Sequence, residues 1–261
     1  MEHQDVKNPS RQRFGRFAQR YVRSQTHAQG TDLERLAALA GAREHDRALD
    51  IATGGGHTAL QLASVATHVV ATDITPRMLV AARQFLAAQK AHNMAFLAAD
   101  AQALPFADAT YDLVTCRIAP HHFSHCSRFV QESARVLQPN GLLLVQDHLL
   151  PEDKDTAQYI ETFERLRDPS HHRAYAASEW VAMFEAANLK VEGMEKVIKE
   201  HPFLPWAERQ DCSEKTVARL ITIVQEAPPA VVEWMRPRGF GTPEAAFIGH
   251  YLIIVGRKGA T

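Results

Sequence analysis

The sequence predicts a doubly wound α/β fold. It reads as one mostly parallel sheet of seven strands, with an N-terminal helix and a helical insertion before the last strand. Three observations carry this. Short apolar, often β-branched runs alternate with segments of helical period through the first 150 residues. Some runs, Leu142-Leu143-Leu144-Val145 above all, are apolar at every position, as expected of strands covered on both faces. The first run ends in a glycine turn, Thr53-Gly54-Gly55-Gly56, and the second ends in an acid, Asp73.

The elements follow in order. Residues 11–28 place Phe14, Phe17, Ala18 and Tyr21 at helical spacing, which suggests an amphipathic helix with an aromatic face. Thr31-Asp32-Leu33-Glu34 offers a capping-box start to a second helix, with Leu33, Leu36 and Leu39 as its stripe and Gly41 as its stop. Strands are expected at 48–51 and 68–73, with helical residues 58–66 between them. Thr75-Pro76 opens the next helix, the hydroxyl as cap and the proline in the first turn. Further strands are read at 94–97 and 111–116. A helix at 124–137 turns Phe129, Val130, Ala134 and Leu137 inward and is closed by Pro139-Asn140-Gly141. After Asp147 come helices at 155–166 and 178–188, a strand at 189–198, a mainly helical stretch at 206–236 and a last strand at 246–256. The division implied is a helical lid over 1–30 and a main domain over 31–261, with 199–245 a helical cap over the ligand edge.

Composition sets the outer bounds. A chain of 261 residues, 46% apolar and 23% charged, is ample for one α/β domain. Its net charge of −1 gives no electrostatic signature for nucleic acid or an acidic membrane. Basic residues crowd only the start, from Lys7 to Arg23, as on a solvated amphipathic segment. The three cysteines, Cys116, Cys126 and Cys212, show no CxxC spacing and point to a reducing compartment. There is no signal-like apolar stretch and no run of membrane-spanning length. The expectation is a soluble cytoplasmic protein, monomer or homodimer, with a small molecule rather than a nucleic acid as its partner.

In an open parallel sheet, ligands bind beyond the carboxyl ends of the strands, where the strand order reverses. Gly54 and Gly56 would let the backbone approach a ligand there, and Asp73 would accept the two hydroxyls of a ribose. NAD, FAD and S-adenosylmethionine (SAM) share that logic. Two features favour SAM. The dinucleotide pattern GxGxxG ends here in Ala59. Asp50, just before the turn, would repel a pyrophosphate yet suit the ammonium and sulfonium of SAM.

At this point the residues resemble a known family. ALDIATGGGHTAL looks like the first motif of class I methyltransferases, in particular the ubiquinone/menaquinone-biosynthesis C-methyltransferase branch. VVATDITPRMLVAAR resembles the second motif, FLAADAQALPFADATYDLVTCRIAPHHF the third and fourth, and ARVLQPNGLLLVQDH the fifth. The match runs over about residues 45–150. LRDPSHHRAYAASEWVAMFEAANL further resembles bacterial methyltransferase-like proteins of unassigned substrate. By that resemblance Asp50, Ala52, Thr53, Gly54 and Gly56 line the methionine part of SAM, and Asp73 binds its ribose. Ile74 and Met78 pack near the adenine, Asp100 accepts its exocyclic amine, and Ala101 donates a backbone NH to the ring. Arg117 lies near the donor, and Tyr21 closes over the methionine carboxylate or else packs in the core.

Methyl transfer from a sulfonium needs alignment and exclusion of water, with a general base only where the acceptor must lose a proton. His121, His122, Asp147 and His148 stand at strand tips where a base is wanted, His121 being the first choice. A metal reading of His121, His122, His125 and Cys126 is disfavoured by spacing. Arg117-Ile118-Ala119-Pro120 stands where a nucleic-acid amine methylase would carry Asn/Asp-Pro-Pro-Tyr. The acceptor is therefore read as small and partly apolar, a quinol, phenol or isoprenoid, with Arg167, His171 and His172 either gripping an anion or forming a solvated loop. The competing readings are an NAD-dependent oxidoreductase and a SAM-binding protein without catalysis.

Overall fold

The computed structural model describes residues 30–260. The segment holding Tyr21, the aromatic helix and nearly all of the expected lid therefore lies outside the described residues. The chain runs α1 (Thr31–Ala40), β1 (His45–Ile51), α2 (His57–Leu62), β2 (Ala66–Asp73), α3 (Pro76–Ala88), β3 (Met94–Ala98) and β4 (Tyr111–Arg117). A 3-10 turn (Pro120–His122) leads to α4 (Cys126–Val136), β5 (Leu137–Leu150) and α5 (Lys154–Arg167). The remainder is β6 (Tyr175–Ala176), α6 (Ala177–Ala186), β7 (Leu189–Pro202), three helices and β8 (Ala246–Lys258). The three helices are α7 (Phe203–Glu208), α8 (Glu214–Gln225) and α9 (Pro229–Met235).

The main sheet has seven strands in the order β3-β2-β1-β4-β5-β8-β7, and the two-residue β6 pairs with the end of β5. Strands β1 to β5 are parallel, while β8 runs antiparallel between β5 and β7. The order reverses between β1 and β4, which puts a ligand crevice at their carboxyl ends.

Alternation along each strand feeds a core on either face. Ala48, Leu113, Leu142 and Leu144 face α1, α2 and α3, where Ala40, Leu62 and Leu86 are buried. Leu49, Ile51, Val114, Leu143 and Val145 face α4 and α6, where Phe129, Val130, Trp180 and Phe184 are buried. Burying a side chain of that size stabilises by about 1.5–3 kcal/mol. A third core lies at the other edge, where α5, α7, α8 and α9 wrap the start of β8 through Phe163, Trp206, Leu220, Met235 and Phe247.

Several local expectations change. The helices of the insertion occupy 203–245, because β7 pairs with β8 as far as Pro202. Gly30, not Thr31, caps α1, and Asp32 is drawn inside by partners distant in sequence. Thr75 sits at the N-cap of α3, but its hydroxyl makes no cap bond. The extended chain is regained at Leu137, before Pro139-Asn140-Gly141, and the strand carries an irregularity there instead of a separate turn.

Candidate functional site

The cleft forms where β1, β2 and β4 end. It encloses about 1090 Å³, mouth included, and is lined from the glycine turn, the end of β2, the loop after β3 and the loop after β4. That is the size of a small-molecule site.

The turn is built from buried hydrogen bonds. Asp50 is buried and accepts from both the Thr53 hydroxyl (2.7 Å) and the Thr115 hydroxyl (2.8 Å), which ties the turn to β4. Beyond it, Ala52, Gly54 and Gly56 all adopt positive φ (53°, 53° and 88°), which folds the backbone back over the strand ends. Gly54 thereby points its N–H at Asp73 Oδ2 (3.1 Å), and Thr75 N–H reaches Oδ1 (2.8 Å). Each oxygen of Asp73 keeps lone-pair capacity for a ligand hydroxyl. Burial raises the pKa of both Asp50 and Asp73 to about 6, against the hydrogen bonds that favour the charged form.

The loop after β3 brings Asp100 and Ala101 to the cleft. Gln102 N–H donates to Asp100 Oδ1 (3.0 Å). The Gln102 side chain then accepts from His125 N–H (2.7 Å) and the Ser124 hydroxyl (3.0 Å), so it fixes one wall to the other. Ile74 and Met78, at the end of β2 and the start of α3, supply apolar surface.

Arg117 closes the cleft at the tip of β4. Its Nη2 donates to Asp32 Oδ2 (2.8 Å) and its Nε to Gln146 Oε1 (3.0 Å), while Gln146 Nε2 donates to the same Asp32 oxygen (2.7 Å). Lys199, from β7, lies 2.7 Å from the other oxygen of Asp32. Burial alone would raise Asp32, but Arg117 and Lys199 outweigh it and hold the carboxyl well below its usual range. Ile118, next along, has φ of 51°, a costly conformation for a β-branched residue and one found most often at functional sites.

The histidines divide. His122 lines the cleft, and its Nδ1–H donates to the Ser170 carbonyl (2.9 Å), a bond that leaves the ring's lone pair on Nε2. Burial lowers its pKa, so the ring is neutral. His121 is turned away from the cleft into a buried pair with Asp147. Asp147 accepts from His121 Nδ1 at 2.6 Å and from its backbone N–H at 2.7 Å. Burial depresses His121 and raises Asp147 to about 7. His148 lies behind His121 (ring centres 4.5 Å apart) and borders a different cavity. Of His121, His122, Asp147 and His148, the groups expected at the site, only His122 lines the cleft.

Arg167 and His171 also leave the role of a solvated loop or an anion grip. Arg167 stacks on Trp206 (4.2 Å), and His171 Nε2 is 2.8 Å from Glu161 Oε1 in the interior. Among the described residues no three His, Cys, Asp or Glu side chains converge as metal ligands.

Among the described residues, the charged groups lining the cleft are three carboxylates, Asp50, Asp73 and Asp100, and one guanidinium already bonded to Asp32 and Gln146. Such a lining suits a ligand with positive charge, ribose hydroxyls and an exocyclic amine, and would repel a pyrophosphate. Comparison with known proteins agrees. Residues 49–145 match the family model described as a methyltransferase domain. The uncharacterized methyltransferase YcgJ of Bacillus subtilis (strain 168) is 35% identical over 214 residues, covering 82% of this chain and 85% of its own. The chain belongs to the SAM-dependent methyltransferases.

The crystal structure of the Bacillus subtilis YcgJ protein superposes on this methyltransferase with a TM-score of 0.83 at 32% identity, covering 87% of this chain and 97% of that one. A demethylmenaquinone methyltransferase of Deinococcus radiodurans is 40% identical, but over only 42% of this chain and 47% of its own. The cofactor of the methyltransferase is SAM. Of the residues expected around it, Asp50, Ala52, Thr53, Gly54, Asp73, Ile74, Met78, Asp100, Ala101 and Arg117 come together along one cleft. Gly56 stands behind the turn as the N-cap of α2. Three contributors were not anticipated: Thr115, Gln102 and Asp32. Thr115 and Gln102 were at least polar residues within or beside strands; Asp32 looked like part of a helix cap.

Proposed function

We propose that this methyltransferase moves the methyl group of SAM to a small, partly apolar acceptor of the quinol, phenol or isoprenoid kind, with His122 as the base when the acceptor is a hydroxyl. The observation that carries this is the make-up of the cleft beyond Arg117: Ile118, Ala119 and Phe123 are apolar, and His122 is the imidazole beside them. SAM supplies an activated methyl group on sulfur. The chain's part is to hold the donor's ribose on Asp73 and its adenine on Asp100, to exclude water with the apolar wall, and to receive a proton at His122 Nε2. His121, bound to Asp147 and packed at a tilt against His122 with ring centres 4.0 Å apart, acts in this reading as a positioning residue. Tyr21 and the segment 1–30 are proposed to close over the methionine end, and three cysteines that form no disulfide fit a reducing compartment.

The test is labelled SAM with a panel of quinols, phenols and isoprenoids. His122→Phe should keep SAM affinity, measured by calorimetry, and lose turnover on hydroxyl acceptors by about 10²–10⁴-fold. Retained turnover removes His122 from the chemistry. Tight SAM binding with no transfer to any member of the panel overturns the acceptor class.

A further inference from the structure

Behind His122 stands a loop, Asp168-Pro169-Ser170, that lines no part of the cleft. Asp168 and Ser170 are buried although both are polar. A proline forces the residue before it out of the helix, and Asp168 accordingly leaves α5 in an extended conformation (φ −125°, ψ 98°). Its carboxylate then turns back on the chain. Oδ1 accepts from the Ser170 N–H (2.9 Å) and the Ser170 hydroxyl (2.5 Å), and Oδ2 accepts from Nε2 of Gln210, just after α7 (2.8 Å).

Three further bonds fasten the loop to the 3-10 turn. His172 N–H (2.8 Å) and Arg173 N–H (3.0 Å) donate to the His121 carbonyl, and His122 Nδ1–H donates to the Ser170 carbonyl (2.9 Å). The Ser170 hydroxyl oxygen stands 3.4 Å from the same imidazole nitrogen. Because that hydroxyl gives its hydrogen to Asp168, it turns a lone pair toward the ring.

Holding a turn needs only an acceptor, which an amide oxygen supplies as well. A buried carboxylate costs more there, and what it adds is charge. Charge matters at one moment of the reaction. As the acceptor's proton passes to His122 Nε2, its oxygen bonds the methyl carbon, the carbon–sulfur bond breaks toward sulfur, and the ring becomes an imidazolium. An acid behind a histidine fixes the tautomer beforehand and stabilises the cation as it forms. Burial lowers the pKa of His122; against it, Asp168 favours the charged ring most, then the Ser170 carbonyl and Asp147 of β5, while His171 opposes them. The His121 ring lies 4.0 Å away, and the cleft side holds Asp50, Asp73, Asp100 and Arg117.

We propose that Asp168 is a positioning residue for methyl transfer, acting through Ser170 to hold His122 in its Nδ1–H form and to balance the charge that the ring takes up. This role rests on the reading of His122 as the base.

Nitrogen NMR tests it on the full chain, isotope-labelled at histidine and saturated with S-adenosylhomocysteine. His122→Phe assigns the signal and Asp168→Asn removes the charge; the Gln210 amide can turn its oxygen to the new NH2, so the turn keeps its bonds. In the wild-type chain at neutral pH the proton should sit on Nδ1 of His122. At the pH where half the wild-type rings are charged, only about one-tenth should be charged in Asp168→Asn, as expected for a lost counter-charge. On a hydroxyl acceptor of the panel, kcat should fall about 10–100-fold with KM and SAM affinity unchanged. The acid limb of the pH profile should move to lower pH with the NMR shift, which a merely loosened turn would not cause.

A proton on Nε2 in the wild-type chain overturns the role of Asp168 even if the variant fails to fold. So does an unshifted His122 in a folded Asp168→Asn, and neither measurement needs an acceptor. Retained turnover in His122→Phe removes the base and Asp168 with it. Lost turnover in His122→Phe beside an unimpaired Asp168→Asn removes Asp168 alone.

Discussion

Asp73 illustrates how one side chain can both hold a turn and line a cleft. Its two oxygens hold the glycine turn and the start of α3 in place through Gly54 N–H and Thr75 N–H. The same side chain lines the cleft, and in the proposed reading its oxygens accept ribose hydroxyls. Asp73→Ala should weaken SAM by about 1.5–3 kcal/mol, the worth of bonds to a charged acceptor; unchanged affinity in calorimetry would put the ribose elsewhere. Those titrations should also show affinity falling as pH drops below about 6, where Asp73 and Asp50 take up protons in the free chain. Each carboxylate that must ionise for binding costs about ten-fold per pH unit below its pKa. Both acids were legible in the sequence because each stands at a strand tip beside its turn. Asp32 and Gln102 were not. Asp32 meets Arg117 and Gln146 across 85 and 114 positions, and no local pattern reports a contact of that span.

At the scale of the element, the glycine turn separates two reasons for being glycine. Gly54 has room: an added Cβ would meet only the Ala52 carbonyl, at 4.0 Å. Gly56 has none, since a Cβ there would lie 3.0 Å from Leu86 Cδ1 and 3.3 Å from Ala82 on α3. Both have positive φ. Gly54→Ala should therefore cost about 1–2 kcal/mol for the left-handed backbone alone, and Gly56→Ala more, because overpacking adds about 1–3 kcal/mol. Urea unfolding of the two variants checks the ranking, and equal midpoints would refute it. Strand and helix identities here were readable from period alone, since Leu142 to Val145 and Phe129 to Ala134 bury the residues their patterns pointed inward. Boundaries were less so. The strand at 189–198 runs on to Pro202 because β8 offers it a partner throughout, which only the assembled sheet reveals.

For the whole molecule, the balance of buried histidines and acids sets the response to pH. Burial lowers the pKa of His45, His121, His122, His148, His172, His201 and His250. Stability from a histidine held neutral is present above its unfolded pKa near 6.5 and is lost as pH falls below it. Asp50, Asp73, Asp147, Glu164 and His171 work the other way, since their folded values are raised and their contribution is lost as pH rises through them. The histidines outnumber these groups, so the unfolded chain binds more protons near pH 5.5 and stability should fall from pH 6.5 to 5. Melting curves across that range provide the check. A free chain that melts higher at pH 5 than at pH 7 contradicts the account. The fold class and most of the cleft lining were thus open to the sequence, through repeated local patterns. The aromatic core around α5 was not, because its residues are scattered from Leu150 to Phe247 without a shared period.

The clamp on Arg117 has a consequence for where the enzyme begins and ends. Residues 49–145 hold the turn, Asp73 and Asp100, the stretch that a whole family shares. Yet the arginine at the cleft is bonded to an acid upstream of that stretch and to Gln146 just after it, and a lysine more than fifty positions downstream holds that acid in turn. The shared stretch is therefore a sentence without its punctuation: cut out alone, it could spell the donor's ribose pocket but would leave Arg117 a swinging charge.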